Sequence, residues 1–253
     1  MIFKSHDDLE THDQKDEVKV SKQLDRLYEE MTLITADLTA GRLYPYQFFI
    51  AWHGVITITF RCFPDSLLTL KDRLNQSKFN FAPENDGSRW PKITLAALSP
   101  TKRLGKEELS LLNNCCMQFS ERVSSLAPLV ARQLSIVHYA QQSLEKCTDQ
   151  RQLSLKDESD FSQALPPLQA EVEKLFASKV GGGDDQREQK ILAVGRNASH
   201  YRMLTDGVSL VFAAPHVYQD TIALLQQDVS KILPNHYEWF KPESRHLTVR
   251  ALY

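Results

Sequence analysis

The sequence predicts an α/β (α+β) fold of two pseudo-twofold-related lobes, each a mixed or antiparallel sheet flanked by helices. Two observations carry this. Apolar residues switch repeatedly along the chain between the three- and four-residue spacing of helices and the two-residue alternation of strands. A strand-helix-strand unit also occurs twice, with related sequences in its end strands. With 253 residues, 42% of them hydrophobic, the chain can bury a sizeable core without a partner, and a monomer is expected.

Taken in order, residues 1–17 are polar and charged without apolar period, and such a segment gains too little burial to offset its ordering entropy. From Val18, the residues Leu24, Leu27, Met31, Ile34 and Leu38 recur at helical spacing as far as Gly41, a natural helix-ending residue. Tyr44–Ile50 and Gly54–Phe60 read as strands, the second with Ile and Thr alternating as in a half-buried sheet. Asp65–Leu74 reads as a short helix, and Pro83, Asn85, Asp86 and Gly87 mark the loop Phe79–Ser88. A buried strand Trp90–Leu98 and a helix Lys106–Val123 follow.

Leu134–Tyr139 reads as a strand with Gln152–Leu155 as its partner across a polar turn, Glu145–Arg151. Asp160–Phe176 reads as helical, Gly181–Asp185 as flexible by composition, and Ile191–Val194 as a short strand. Gly207–Phe212 is strand-like, His216–Leu233 helical, and Arg245–Tyr253 a final strand. The expected organisation is therefore one bilobal domain over 18–253, with lobes at about 43–130 and 190–253 and an insertion at about 156–190.

Thirty Lys and Arg against 32 Asp and Glu give a net charge of −2, so no global field draws the molecule to a polyanion. Cys62, Cys115, Cys116 and Cys147 form no C-x-x-C spacing and read as reduced. The acidic start lacks a signal-peptide apolar region, and no stretch approaches 18 apolar residues, so an intracellular, cytoplasmic protein without a membrane span is expected. Walker, dinucleotide-binding, zincin and serine-hydrolase motifs are all absent from the sequence.

In the repeat, Gly54 stands 40 residues before Thr94 and Gly207 stands 41 before Thr248. The end strands carry Lys92-Ile-Thr94-Leu and His246-Leu-Thr248-Val, each preceded by a Ser-Arg pair, Ser88-Arg89 and Ser244-Arg245. On a strand, residues two apart project from one face. Lys92, Thr94, His246 and Thr248 would then share a groove if the strands lie side by side. A histidine exchanges protons near neutral pH, a threonine hydroxyl donates to a phosphate oxygen, and a lysine supplies positive charge. Trp52 and Trp90 read as core or rim aromatics, His53 and His138 as structural. His200-Tyr-Arg202, behind Gly195 and Asn197, is a further nucleotide-binding loop candidate.

These residues resemble the two-histidine (2H) phosphoesterase superfamily, which includes LigT-like RNA 2′,3′-cyclic phosphodiesterases, over roughly residues 43–253. His246-Leu-Thr248-Val matches its H-x-T/S-x motif, whereas Lys92-Ile-Thr94-Leu carries lysine where the family has histidine. The resemblance implies a hydrolase without cofactor or metal. His246 and Lys92 would be the catalytic pair, and Thr94, Thr248, Arg89 and Arg245 would bind phosphate. The substrate would be a small cyclic nucleotide or an RNA end. The alternative is a non-catalytic nucleotide- or RNA-phosphate-binding relative that has lost one catalytic histidine.

Overall fold

The computed structural model describes residues 22, 24–79, 81–157, 164–177 and 185–253 of the chain. It begins with α1 (24–35), β1 (Gly41–Leu43), β2 (Pro45–Ile50), β3 (Ile56–Phe60) and α2 (Asp65–Gln76). β4 (Lys92–Leu98), α3 (Lys106–Ser124), β5 (Leu129–Ala131), β6 (Gln133–Tyr139), β7 (Cys147–Ser154) and α4 (Ala170–Ala177) follow. The chain closes with α5 (Asp185–Leu192), α6 (Ala198–Arg202), β8 (Gly207–Ala213), α7 (Gln219–Ile232), β9 (Tyr237–Trp239) and β10 (His246–Ala251). This is a mixed α+β fold with antiparallel sheets.

The main sheet runs β2-β3-β4-β10-β8-β6-β7, with β9 also paired to β4, and every pairing is antiparallel. β1 and β5 form a separate two-stranded sheet. The two strands that end the sequence repeat, β4 and β10, are neighbours at the sheet centre and meet at Ile93 and Leu247. Each has a register irregularity just past its threonine. Against consecutive residues of β3 the paired residues of β4 step from Thr94 to Ala96, and against consecutive residues of β8 those of β10 step from Thr248 to Arg250.

Alternation decides what each face of these strands does. Ile93, Leu95, Leu247 and Val249 point into one core with Leu67 and Leu70 of α2, Leu112 of α3 and Leu225 of α7. Each such side chain contributes about 1.5–3 kcal/mol by its burial. The basic residue and threonine of each strand therefore emerge on the opposite face, away from these helices. The two glycines that open the repeat have different duties. Gly54 sits at φ +73°, which a side chain rarely tolerates, whereas a Cβ at Gly207 would lie 2.5 Å from the Tyr139 hydroxyl.

Several expectations need correction. The first helix ends at Thr35 rather than running to Gly41, which instead opens β1; the Thr35 hydroxyl donates back to the Met31 carbonyl at 2.8 Å. The Ile/Thr alternation of β3 does not signal a wet face, because Thr57 and Thr59 are buried and donate to the Phe49 and Gln47 carbonyls. The polar run Cys147–Arg151 belongs to β7. Among the described residues it is an edge strand paired only with β6, and it keeps most of its side chains in solvent, so polarity mimicked a turn. Ile191 lies in α5 rather than in a strand, and its burial satisfies a helix face equally well. Residues 164–169, which include Pro166 and Pro167, precede α4 without being helical. The expectations for residues 1–17 and for the glycines at 181–183 lie outside the described residues. Among those described, none of the four cysteines is in a disulfide, and no helix is long and apolar enough to cross a membrane.

Candidate functional site

On the face opposite α2, α3 and α7, a cleft of about 350 Å³ is lined by Lys92 and Thr94 of β4 and by His246 and Thr248 of β10. Ser209 of β8 and Tyr139 of β6 extend the floor across the sheet. Asn85, Gly87, Ser88, Ser244, Arg196, Tyr201 and Phe240 form the walls. Among the described residues no other group engages the Thr94 or Thr248 hydroxyl, which leaves both to the cleft.

His246 is held by its own chain. Its Nδ1 lies 2.8 Å from the Ser244 carbonyl. A carbonyl can only accept, so Nδ1 carries the proton and Nε2 is left with its lone pair. Burial lowers its pKa from the ordinary 6.5, opposed by the bond to Ser244. The ring is thus neutral at pH 7 and poised to accept a proton at Nε2.

Lys92 is likewise held by the turn and linker before its own strand. Its ammonium donates to the Gly87 carbonyl and lies 4.0 Å from the centroid of the Trp90 ring. Burial, then the positive charges of Arg196 and Lys71, lower its pKa to about 7. An ammonium has three donors, so the bond to Gly87 leaves others for a ligand. A lysine that titrates near neutrality is a competent proton donor, which an ordinary lysine is not.

Beneath the cleft sits a buried charge cluster. The Lys71 ammonium donates to the Ser88 and Val249 carbonyls, both at 2.8 Å, and pairs with Glu84. Arg250 donates to the Ala82 carbonyl at 2.9 Å and stands 3.7 Å from Glu84. Lys71 therefore ties the turn before β4 to the irregular step of β10, just past Thr248. Burial lowers the pKa of Lys71, opposed chiefly by its hydrogen bond to Glu84.

Of the residues expected from the sequence, the structure brings Lys92, Thr94, His246 and Thr248 together in the cleft. It does not bring Arg89 and Arg245 there. Arg245 precedes His246 by one position, so alternation sends it to the other face, where it is buried and donates to Gln219 Oε1 at 2.8 Å. Arg89 is exposed outside the cleft lining. The loop at 195–202 does reach the site, but through other residues than His200 and Arg202. Arg196 lines the cleft and hydrogen-bonds the Tyr201 side chain. Arg202 is spent on Glu145, at 2.7 Å, and on Glu238. Asn197 was the available signal: it caps α6 by accepting from the His200 amide at 3.1 Å, which leaves Arg196 outside the helix.

Among the described residues no group of three or more His, Cys, Asp or Glu is placed to hold a metal ion. Compared with known proteins, the chain matches no family model, no curated protein and no solved structure. The site is therefore read from its own chemistry.

Proposed function

We propose that the cleft binds and hydrolyses a phosphodiester of the kind found in 2′,3′-cyclic RNA ends or small cyclic nucleotides. The observation that carries this reading is the convergence of Lys92, Thr94, His246 and Thr248 on one cleft. A duplicated, pseudo-twofold architecture is part of the same reading. Its support is the pair of central antiparallel strands, each with an irregular step after its threonine and each preceded by a 3-10 turn ending in a buried serine. Ser88 and Ser244 even make matching bonds, their hydroxyls donating to the carbonyls of Asn85 and Lys241 at 3.0 and 2.9 Å.

In this reading Thr94, Thr248 and Arg196 hold the non-bridging phosphate oxygens. Neutral His246 takes a proton at Nε2 from a water whose oxygen attacks phosphorus. As the new P–O bond forms, the bond to one ribose oxygen breaks, and Lys92 gives that oxygen its proton. The product is a nucleoside phosphate monoester, with His246 left as imidazolium and Lys92 as amine. Solvent returns both to their starting states. Charge developing on the phosphorane is balanced by Lys92 and Arg196.

The test is hydrolysis of 2′,3′-cyclic nucleotides followed by chromatography. His246→Ala should reduce the rate by roughly 10²- to 10⁴-fold, the ordinary effect of losing a general acid or base. Equal turnover in variant and parent removes His246 from the mechanism. The anchoring of the Lys92 ammonium by Gly87 and Trp90 favours a second reading, a nucleotide-phosphate binder without turnover. A parent that binds nucleoside phosphates but cleaves no member of a broad phosphodiester panel selects it.

A further inference from the structure

A second positively charged groove lies outside the cleft, of about 230 Å³, between α4, α5 and the 3-10 turn Trp52–Gly54. Lys174 of α4 and Arg187 and Lys190 of α5 line it with Trp52, against one carboxylate, Glu171. Trp52 is 48% exposed, an unusual state for a residue that gains so much from burial. The Lys190 ammonium stands 4.8 Å from the centroid of its ring. With a cation over one face and nearly half its surface in solvent, the indole offers a face on which a planar group can stack.

The groove and the cleft are joined by a short stretch of backbone. His53, next to Trp52, has its Nδ1 at 3.1 Å from the Ala193 carbonyl. Gly195 packs so closely on His53 that a Cβ there would lie 2.5 Å from the imidazole. Arg196, the next residue, lines the cleft. Trp52 and Arg196 thus flank a single contact, one on the groove side and one on the cleft side.

We propose that the groove binds the chain of a single-stranded nucleic acid whose terminal phosphate group lies in the cleft, Trp52 stacking on a base while Lys174 and Lys190 neutralise backbone phosphates. This rests on the phosphodiester reading of the cleft. A flat aromatic interleaved with cations matches the base-and-phosphate repeat of a nucleic acid strand. An acidic peptide would satisfy the cations but give the indole no planar partner.

The experiment is calorimetric titration with uridine 3′-monophosphate and with an eight-residue oligouridylate bearing a 3′-phosphate, at several salt concentrations. The parent should bind the oligonucleotide more tightly than the mononucleotide. Trp52→Ala should weaken the oligonucleotide roughly tenfold through loss of base stacking and so narrow that difference. Lys174→Gln with Lys190→Gln should make the oligonucleotide's log–log salt dependence shallower by about 1.4, about 0.7 for each lost phosphate contact. Equal binding of the two ligands by the parent, or equal weakening of both by Trp52→Ala, overturns the proposal. So does a polyphosphorylated peptide that binds as tightly as the oligonucleotide with the same dependence on Trp52. A parent that hydrolyses no phosphodiester yet keeps the Trp52-dependent oligonucleotide preference overturns the reaction and supports the groove. Turnover without that preference overturns the groove alone.

Discussion

The two central strands are nearly the same object built around different proton chemistry. β4 and β10 each present a basic residue and a threonine to the cleft, and each follows a 3-10 turn that ends in a buried serine. The difference begins with spacing. Ser244 stands two residues before His246, so its carbonyl reaches the imidazole and fixes the tautomer. Ser88 stands four residues before Lys92, because Trp90 and Pro91 are interposed. The turn is displaced, and the longer lysine side chain reaches across the indole to Gly87. Both are anchored by the turn before their own strand, the rigid ring by a carbonyl two residues back and the flexible amine by one five residues back, and burial with the charges of Arg196 and Lys71 lowers the pKa of the amine. In the proposed reaction the same backbone geometry would serve a proton acceptor on one strand and a proton donor on the other.

The most direct way to break this comparison is through pH. His246 must be neutral to accept a proton, and burial holds its pKa below the ordinary value, so the loss of activity on the acid side should come at lower pH than for a free imidazole. Lys92 must be protonated to donate, and its pKa is about 7, so activity should also fall as the pH rises through that value. A kcat/KM profile should be bell-shaped, and Lys92→Ala should lower the rate by about 10²-fold or more and erase the alkaline limb. An alkaline limb that survives in Lys92→Ala assigns the donor to another group.

Lys71 sharpens the comparison because it serves both strands at once. Replacing it with Met leaves Glu84 without its closest partner and frees the Ser88 and Val249 carbonyls. Breaking a buried ion pair in this way costs about 3–5 kcal/mol, to be read in thermal or denaturant unfolding. Unfolding unchanged within about 0.5 kcal/mol would mean that the cluster does not hold the turn and β10 together.

Smaller effects separate the arginines. Arg196→Ala should weaken nucleoside phosphate binding roughly tenfold, the usual worth of a hydrogen bond to a charged group. Arg245→Met should destabilise folding by about 1 kcal/mol, the net worth of the lost hydrogen bond from the buried guanidinium to the exposed Gln219, and should leave phosphate affinity alone. Arg89→Ala, outside the cleft lining, should not change phosphate affinity measurably. A loss of phosphate affinity in Arg89→Ala or Arg245→Met that matches Arg196→Ala would return those arginines to the site.

Particular residues mark how far local reading reached. The repeat could be seen because Lys92-x-Thr94 and His246-x-Thr248 each fit within one strand, where a two-residue spacing fixes a shared face whatever the strand packs against. Arg89 and Arg245 lie outside the cleft lining because a flanking position in the sequence does not set a direction; the same alternation that aims His246 into the cleft aims Arg245 away. Cys147–Arg151 was misjudged because an edge strand with most of its side chains in solvent has no apolar pattern to report. Arg196 stands between Gly195 and Asn197, and the α6 cap leaves it outside the helix, but its place at the cleft depends on packing that the local sequence does not carry.

The sequence by itself determined the elements with strong apolar period, the mixed α+β class, and the pairing of a basic residue with a threonine on each repeat strand, because these depend on contacts within a few residues. Only the tertiary structure decided that β4 and β10 are direct neighbours, that Arg196 joins them from a distant loop, and that Lys92 titrates near neutrality. Each of these depends on groups brought close from far along the chain. Desolvation and charge–charge interaction act through space, and an isolated strand sequence carries no record of what will stand beside it.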